Sequence, residues 1–221
     1  MMTADSLGIV AEDVDGVLAK PALRAYRSWP KRGLDILGAG VGLLFISPFL
    51  ILIALMIRLE SPGPALFCQR RTGYRGREFK IYKFRSMRVA EDGDVIKQAS
   101  RGDDRITRLG AFLRQSSIDE LPQLINVLKG DMSLVGPRPH AVAHDRYFGA
   151  AIAEYDSRFL VRPGITGLAQ VLGHRGATPD VESMAKRVDK DLEYIRRWSI
   201  KLDVLILWRT VMLGPFDSAA Y

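Results

Sequence analysis

Residues 36–57, ILGAGVGLLFISPFLILIALMI, carry no charge over 22 positions, and this run constrains the fold more than any other stretch. As a helix it is long enough to reach across a hydrocarbon core of about 30 Å. Two features oppose a simple crossing. The flanks are basic on both sides, with Arg24, Arg27, Lys31 and Arg32 before the run and Arg58, Arg70, Arg71, Arg75 and Arg77 after it. Segments rich in Lys and Arg stay on the cytoplasmic side, so both ends are drawn to one face. Ser47-Pro48 falls mid-run, where Pro removes a backbone hydrogen bond and kinks the helix, and a Ser hydroxyl can satisfy the freed carbonyl. Together they favour a re-entrant helix–break–helix over a kinked transmembrane span. Asp35, at the interface, is expected to pair with Lys31 or Arg32 one helical turn back.

This membrane element divides the chain. Residues 1–28 are polar and mixed, and read as a mobile tail with a short helix near 17–26. The apolar run comes too late, and lacks the small-residue cleavage pattern, for a signal peptide. Residues 29–60 hold the membrane helix, and the Glu60-Ser61-Pro62-Gly63-Pro64 breaker cluster opens a cytoplasmic domain at 61–221. The expected fold class is α+β, mostly helical: a re-entrant helix plus a small globular domain with short strands and interfacial amphipathic helices. A net charge of +7 over 221 residues points to phosphate-bearing partners. The single Cys68 excludes an intrachain disulfide framework and a CxxC metal site, which suits a reducing, cytosol-facing compartment.

Beyond the boundary, 65–71 and 79–85 read as short strands around a turn at 73–76. Eight Lys or Arg lie between Arg70 and Arg88 against one acid, Glu78; they form either a solvated face or a headgroup and phosphate surface. Residues 91–104 read as a loop, 105–114 as an amphipathic helix, 141–158 as another helix and 162–170 as a Gly-punctuated loop. Residues 181–213 are helical by period, and the second part, with Trp208 and Arg209, suits either the membrane interface or core packing. His140 and His144 are one helical turn apart, but no third Cys or His is near enough in sequence for zinc.

The chemistry concentrates at 116–139, SSIDELPQLINVLKGDMSLVGPRP. Asp119 and Glu120 are adjacent carboxylates ahead of an apolar helical run, and Pro137-Arg138-Pro139 clamps a guanidinium. One acid can attack phosphorus or take a proton, the other can hold a divalent cation, and the Arg can grip an oxyanion. The same residues also read as a capping box, Ser117 to Glu120, with both acids in the first turn of a helix. Spacing alone leaves the two readings open. A non-catalytic, membrane-anchored basic protein that binds anionic lipid or nucleic acid is the alternative at this stage.

Across 31–213 the motifs KRGLD (31–35), Ser47-Pro48, KFRSM (83–87), SSIDELPQL, KGDMSLVGPRP and RPGITGLAQV (162–171) occur in one order. In this the chain resembles the bacterial monotopic phosphoglycosyl transferases, the sugar transferase family that starts glycan and exopolysaccharide assembly on a lipid carrier. The resemblance implies a re-entrant helix broken at Ser47-Pro48, with the domain on the cytoplasmic face of the bacterial inner membrane. It implies transfer of a sugar-1-phosphate from a UDP-sugar to polyprenyl (undecaprenyl) phosphate through a covalent Asp119 intermediate, with release of UMP. Glu120 would bind Mg²⁺; Arg138, Arg114 and Lys83 would hold phosphate oxygens, with Arg85, Arg162 and Gln170 completing the substrate set. The implied partners are UDP-sugar, polyprenyl phosphate and membrane lipid, with no nucleic acid; a homodimer stays open. Larger relatives carry additional N-terminal transmembrane helices and a further domain, and this chain resembles the short form. Relatives often read Q-V-N-G-R after the RPGITG motif, whereas this chain has Gln170-Val171-Leu172-Gly173-His174-Arg175; that departure leaves the identity of the sugar open, and a hexose such as glucose or galactose is the expectation.

Overall fold

In a computed structural model of the chain, the apolar run lies within one helix, α2, Trp29–Glu60, of 32 residues. The structure describes residues 16–88, 103–176 and 178–213. Most of the expected 91–104 loop and residues 1–15 of the tail lie outside these.

Ser28 caps α2 through the Lys31 N–H, and Pro30 occupies the first turn, where its missing donor costs nothing. The helix runs through Pro48 instead of stopping there. Pro48 cannot donate to Leu44, and the Ser47 hydroxyl donates to that carbonyl at 3.1 Å. Helical backbone thus continues through the expected break, and Pro48 marks a place where a helix bends without ending.

Both ends of α2 pack on the same globular body. Toward the N-terminus, Ala39 meets Ile81, Val127 and Met132. Toward the C-terminus, Ile53 and Ile57 meet Phe84 and Leu113. Away from these contacts α2 exposes large apolar side chains, among them Phe45 at 77% and Leu59 at 78%.

The expected partners of Asp35 are corrected by the packing. Its carboxylate accepts from the Ser133 hydroxyl at 2.9 Å and the Leu134 N–H at 2.8 Å. Lys31 turns instead to Asp203 at 2.9 Å, the Tyr194 hydroxyl and the Val135 carbonyl. Arg32 donates to the carbonyls of Val127 and Leu128, so its cation meets the negative end of a helix. The motif ties α2 to the domain rather than to itself.

The short helix expected near 17–26 is present as α1, Gly16–Arg27, but it is docked instead of lying in a mobile tail, with Leu18, Ala22 and Ala25 buried in the main core. That core also takes Tyr155, the amphipathic α7, Val181–Arg197, and Ile206 of α8, Ile200–Leu213. The two helices read as one in sequence are separated at Trp198-Ser199. On α8, Val204, Trp208, Val211 and Met212 stay exposed.

Strands β1, Leu66–Thr72, and β2, Glu78–Phe84, form an antiparallel hairpin pairing Leu66 with Phe84 and Thr72 with Glu78. Along β2, Asn126 acts as a third strand: its Oδ1 accepts from the Tyr82 N–H and its Nδ2 donates to the Lys80 carbonyl. Asn126 belongs to α4, Gln123–Lys129, which closes on Gly130 at φ 89°. Helices α3, Arg108–Gln115, and α5, Val142–Ala151, flank this unit. The single helix expected at 141–158 ends at Ala151, and a 3₁₀ segment, Tyr155–Leu160, follows.

A parallel pair, β3 (Ser133–Val135) with β4 (Gly164–Thr166), was not visible in the sequence. It draws the two Gly-Pro loops together so closely that a Cβ on Gly164 would stand 2.1 Å from the Gly136 nitrogen. Only glycine permits that approach. Short helix α6, Leu168–Val171, follows β4.

Candidate active site

The acidic pair sits on a 3₁₀ turn, Ile118–Glu120, and not in the first turn of an α-helix. Ser117 ahead of it has φ 56°, left-handed, and its side chain caps nothing. The capping box suggested by spacing therefore does not form. Leu121 and Pro122 intervene before α4 begins at Gln123, so both acids face inward: Asp119 is 7% and Glu120 9% exposed.

Glu120 is gripped from two sides. Arg138 donates Nη1 to Oε2 at 2.9 Å and Nη2 to Oε1, while Lys83 of β2 reaches Oε1 at 2.8 Å. Burial alone would raise the Glu120 carboxyl, but the two cations outweigh it and hold the group well below the ordinary carboxylate range. Asp119 is different. Among the described residues no group donates a hydrogen bond to it, and burial followed by the neighbouring Glu120 charge pushes it up to about 6. Lys83, Arg114 and Arg138 pull the other way without forming a direct bond. Adjacent carboxylates are thus driven apart, one permanently charged and clamped, the other uncommitted and ionised near neutrality. An uncommitted, desolvated carboxylate is a nucleophile or a base.

Arg114, in the last turn of α3, brings a half-buried guanidinium whose Nε lacks a partner. The structure therefore gathers Asp119, Glu120, Lys83, Arg114 and Arg138 into one cluster. The other three expected ligands are engaged elsewhere. Arg85 donates to the Ser61 and Pro62 carbonyls and the Ser61 hydroxyl, closing the C-terminal end of α2. Arg162 donates to the Gly130 carbonyl and lies over the Tyr26 ring at 4.4 Å. Gln170 donates to the Ile165 carbonyl.

Behind Arg138 lies a buried network that sequence reasoning missed. Arg158 donates to the Arg138 carbonyl at 2.6 Å and to Asp191 at 2.8 Å. Arg71 donates to the Pro139 carbonyl. His140 lies between Arg158 and Arg187, and burial plus these cations keep it neutral, its pKa held well below the usual value. Both ring nitrogens meet a guanidinium, Nε2 that of Arg187 at 3.3 Å and Nδ1 that of Arg158 at 3.2 Å, and Nδ1 also lies 2.9 Å from the Tyr155 hydroxyl, which donates to Asp145. No sequence signal joins residues this far apart.

The donor set bears on a metal. Among the described residues no three His, Cys, Asp or Glu cluster as a metal cage. Mg²⁺ commonly takes one or two carboxylates and draws its remaining ligands from phosphate and water. Asp119 and Glu120 fit a cation arriving with a phosphate substrate, provided that Glu120 gives up part of its hold on Lys83 or Arg138.

Residues 26–214 match the model of the family described as bacterial sugar transferase. Of the similar proteins, the UDP-glucose:undecaprenyl-phosphate glucose-1-phosphate transferase of Caulobacter vibrioides is 57% identical over 181 residues, covering 82% of this chain and 68% of that protein. The Escherichia coli protein of the same name is 50% identical over 95% of this chain but only 46% of its own length. The exopolysaccharide production protein PSS of Rhizobium leguminosarum bv. phaseoli is 46% identical, covering 82% of this chain and 93% of that protein. The chain thus spans less than half of the E. coli relative and most of the Rhizobium one. A match across nearly all the described residues, with the acidic turn and the Arg138 loop inside it, is sufficient: the chain belongs to the bacterial sugar transferase family.

Proposed function

We propose that the protein transfers a hexose-1-phosphate from a UDP-hexose to polyprenyl phosphate, as an opening step of polysaccharide assembly at the membrane. The observation that carries this reading is the contrast within the dyad, with Asp119 unbonded and raised to about 6 beside a Glu120 clamped by Arg138 and Lys83. The names of the relatives from Caulobacter and E. coli favour glucose as the sugar.

In this reading an Asp119 oxygen attacks the sugar-bearing phosphorus, and the bond to the bridging oxygen breaks. UMP leaves with that electron pair, and the sugar phosphate stays on Asp119 as an acyl phosphate. A phosphate oxygen of the lipid then attacks the same phosphorus, and the Asp119 carboxylate departs, closing the new diphosphate. An acyl phosphate is reactive enough for a phosphate monoester to resolve it. Arg138, Lys83 and Arg114 are the cations that act on Asp119, which supports their holding phosphate charge as it develops there. Bound Mg²⁺ would neutralise the diphosphate, and Glu120 is the residue to hold it.

Re-entrant anchoring belongs to the same proposal. Both ends of α2 pack on one domain while its remaining faces stay apolar and exposed, which supports entry and exit on a single face, with the domain on the cytoplasmic side. The exposed apolar side of α8, with Trp208, supports its lying at the same interface. The test is UMP release from a panel of UDP-sugars by purified protein with Mg²⁺ and undecaprenyl phosphate. Release that is lost in Asp119→Asn and in EDTA is expected; release that persists in Asp119→Asn sinks the mechanism.

A further inference from the structure

The cluster described so far draws its cations from β2, α3 and the Pro137–Pro139 loop. The loop between α6 and α7 delivers another. Arg175 lies half-buried in it, and its guanidinium donates to the hydroxyl of Ser117, two residues before Asp119 and 58 residues earlier in the chain. Among the described residues, Arg175 forms no ion pair with a carboxylate. A neutral hydroxyl engages only part of a five-donor fork, which leaves the charge uncompensated beside the acidic turn.

A second arginine sets that loop. Arg187 of α7 is 4% exposed; its Nη2 donates to the Gly176 carbonyl, next to Arg175, and its Nη1 to His140. Its Nε is buried without a partner. Burial and the positive charges of Arg138 and Arg158 lower its pKa to about 10, only partly offset by Asp191. His140 lies between Arg187 and Arg158, and Arg158 holds the Arg138 carbonyl. Buried contacts therefore run from Arg138 through Arg158, His140 and Arg187 to Gly176, and Arg175 returns to the turn that carries the dyad.

We propose that Arg175 is a substrate-binding residue that exchanges the Ser117 hydroxyl for a phosphate oxygen, and that Arg187 is the positioning residue that aims its loop. The exchange is favourable because an Arg–phosphate bond is charge-assisted and bidentate, whereas the bond to Ser117 has a neutral acceptor. The ligand is a phosphate ester, from either the sugar nucleotide or the lipid carrier. The naming of those two substrates rests on the transferase reading; the anion chemistry does not.

The test uses the full chain in nanodiscs with Mg²⁺, comparing wild type, Arg175→Ala, Arg175→Lys and Ser117→Gly. Affinities for UDP and for undecaprenyl phosphate are measured separately, neither needing turnover, and thermal midpoints are recorded alongside. Glycine keeps the left-handed turn at position 117 while removing the hydroxyl. Arg175→Ala is expected to weaken one of the two ligands by roughly 10- to 100-fold, the loss of one charged hydrogen bond. Arg175→Lys should recover part of that loss, and Ser117→Gly should leave affinity unchanged or tighter, because the guanidinium is freed. Loss confined to UDP assigns the sugar nucleotide; loss confined to undecaprenyl phosphate assigns the lipid. The proposal is overturned if both affinities survive Arg175→Ala, or if Arg175→Ala and Ser117→Gly behave alike, which would make the contact a structural latch. Wild type that binds these ligands through Arg175 but releases no UMP would keep this inference and sink the transferase reading. Wild type that binds neither ligand overturns both.

Discussion

Arg138 meets Glu120 with both arms of its guanidinium, Nη1 on Oε2 at 2.9 Å and Nη2 on Oε1, from a loop whose own carbonyl is held by Arg158. A planar fork matched to a carboxylate fixes orientation as well as charge, and an ammonium cannot reproduce it. Arg138→Lys should therefore retain the fold and lower kcat by about 10²- to 10³-fold, the usual effect of removing one preorganised donor. Thermal midpoint and steady-state kinetics on the same preparation check this, and a kcat within about twofold of wild type would contradict it.

The pH dependence follows from Asp119. Burial and the Glu120 charge push its carboxyl up to about 6, so below that pH it is protonated and cannot attack. The rate of UMP release should fall by about tenfold per pH unit below about 6 and level off above it. A profile flat down to about pH 4.5, the range of an ordinary carboxylate, would remove Asp119 from the chemical step.

The same shift has a cost in stability. A carboxyl whose folded pKa is raised favours the folded state while protonated, and that benefit is lost as pH rises from the unfolded value through the folded one. At neutral pH the ionised Asp119 therefore destabilises the fold. Asp119→Asn should be inactive yet more stable, by on the order of 2 kcal/mol, at pH 7 to 8, with the difference vanishing near about pH 4. Denaturant titration at the two pH values reads it; an Asn variant less stable at neutral pH contradicts the assignment.

Topology can be tested on α2 directly. In a Cys68→Ser background, Lys20→Cys in α1 and Arg77→Cys beside the hairpin turn flank the membrane helix in sequence, and both side chains are exposed. A membrane-impermeant thiol reagent should label both from the same side, while Phe45→Cys should resist labelling from either. Labelling of the first two from opposite sides would make α2 a transmembrane span.

The sequence carried the features written locally. A charge-free run with basic flanks reads as a membrane helix because hydropathy and charge act residue by residue, and strands at 65–71 and 79–85 fall within one residue of β1 and β2. What failed was set by tertiary contacts. Ser117 fits a capping box by spacing, yet its left-handed backbone turns the dyad inward and its hydroxyl goes to Arg175. Asp35 had suitable cations one turn away, but the N–H of Leu134 and the hydroxyl of Ser133 offer a carboxylate two fixed donors. Arg85 lies in a basic run and Arg162 in the RPGITG motif, and both were expected to bind substrate, whereas Arg85 donates to the Ser61 carbonyl just past α2 and Arg162 to the Gly130 carbonyl that closes α4. The parallel pairing of β3 and β4 has no short-range signature, since its strands are three residues each and 28 residues of chain separate them.

The most direct test of the central claim is intact-protein mass spectrometry after mixing the protein with UDP-glucose and Mg²⁺ in the absence of lipid acceptor. A covalent acyl phosphate on Asp119 requires a mass increase of one hexose phosphate, UMP in equal amount, no adduct in Asp119→Asn, and loss of the adduct when undecaprenyl phosphate is added. UMP appearing only after the lipid acceptor is supplied, with the protein mass unchanged throughout, would mean direct transfer and would contradict Asp119 as the nucleophile.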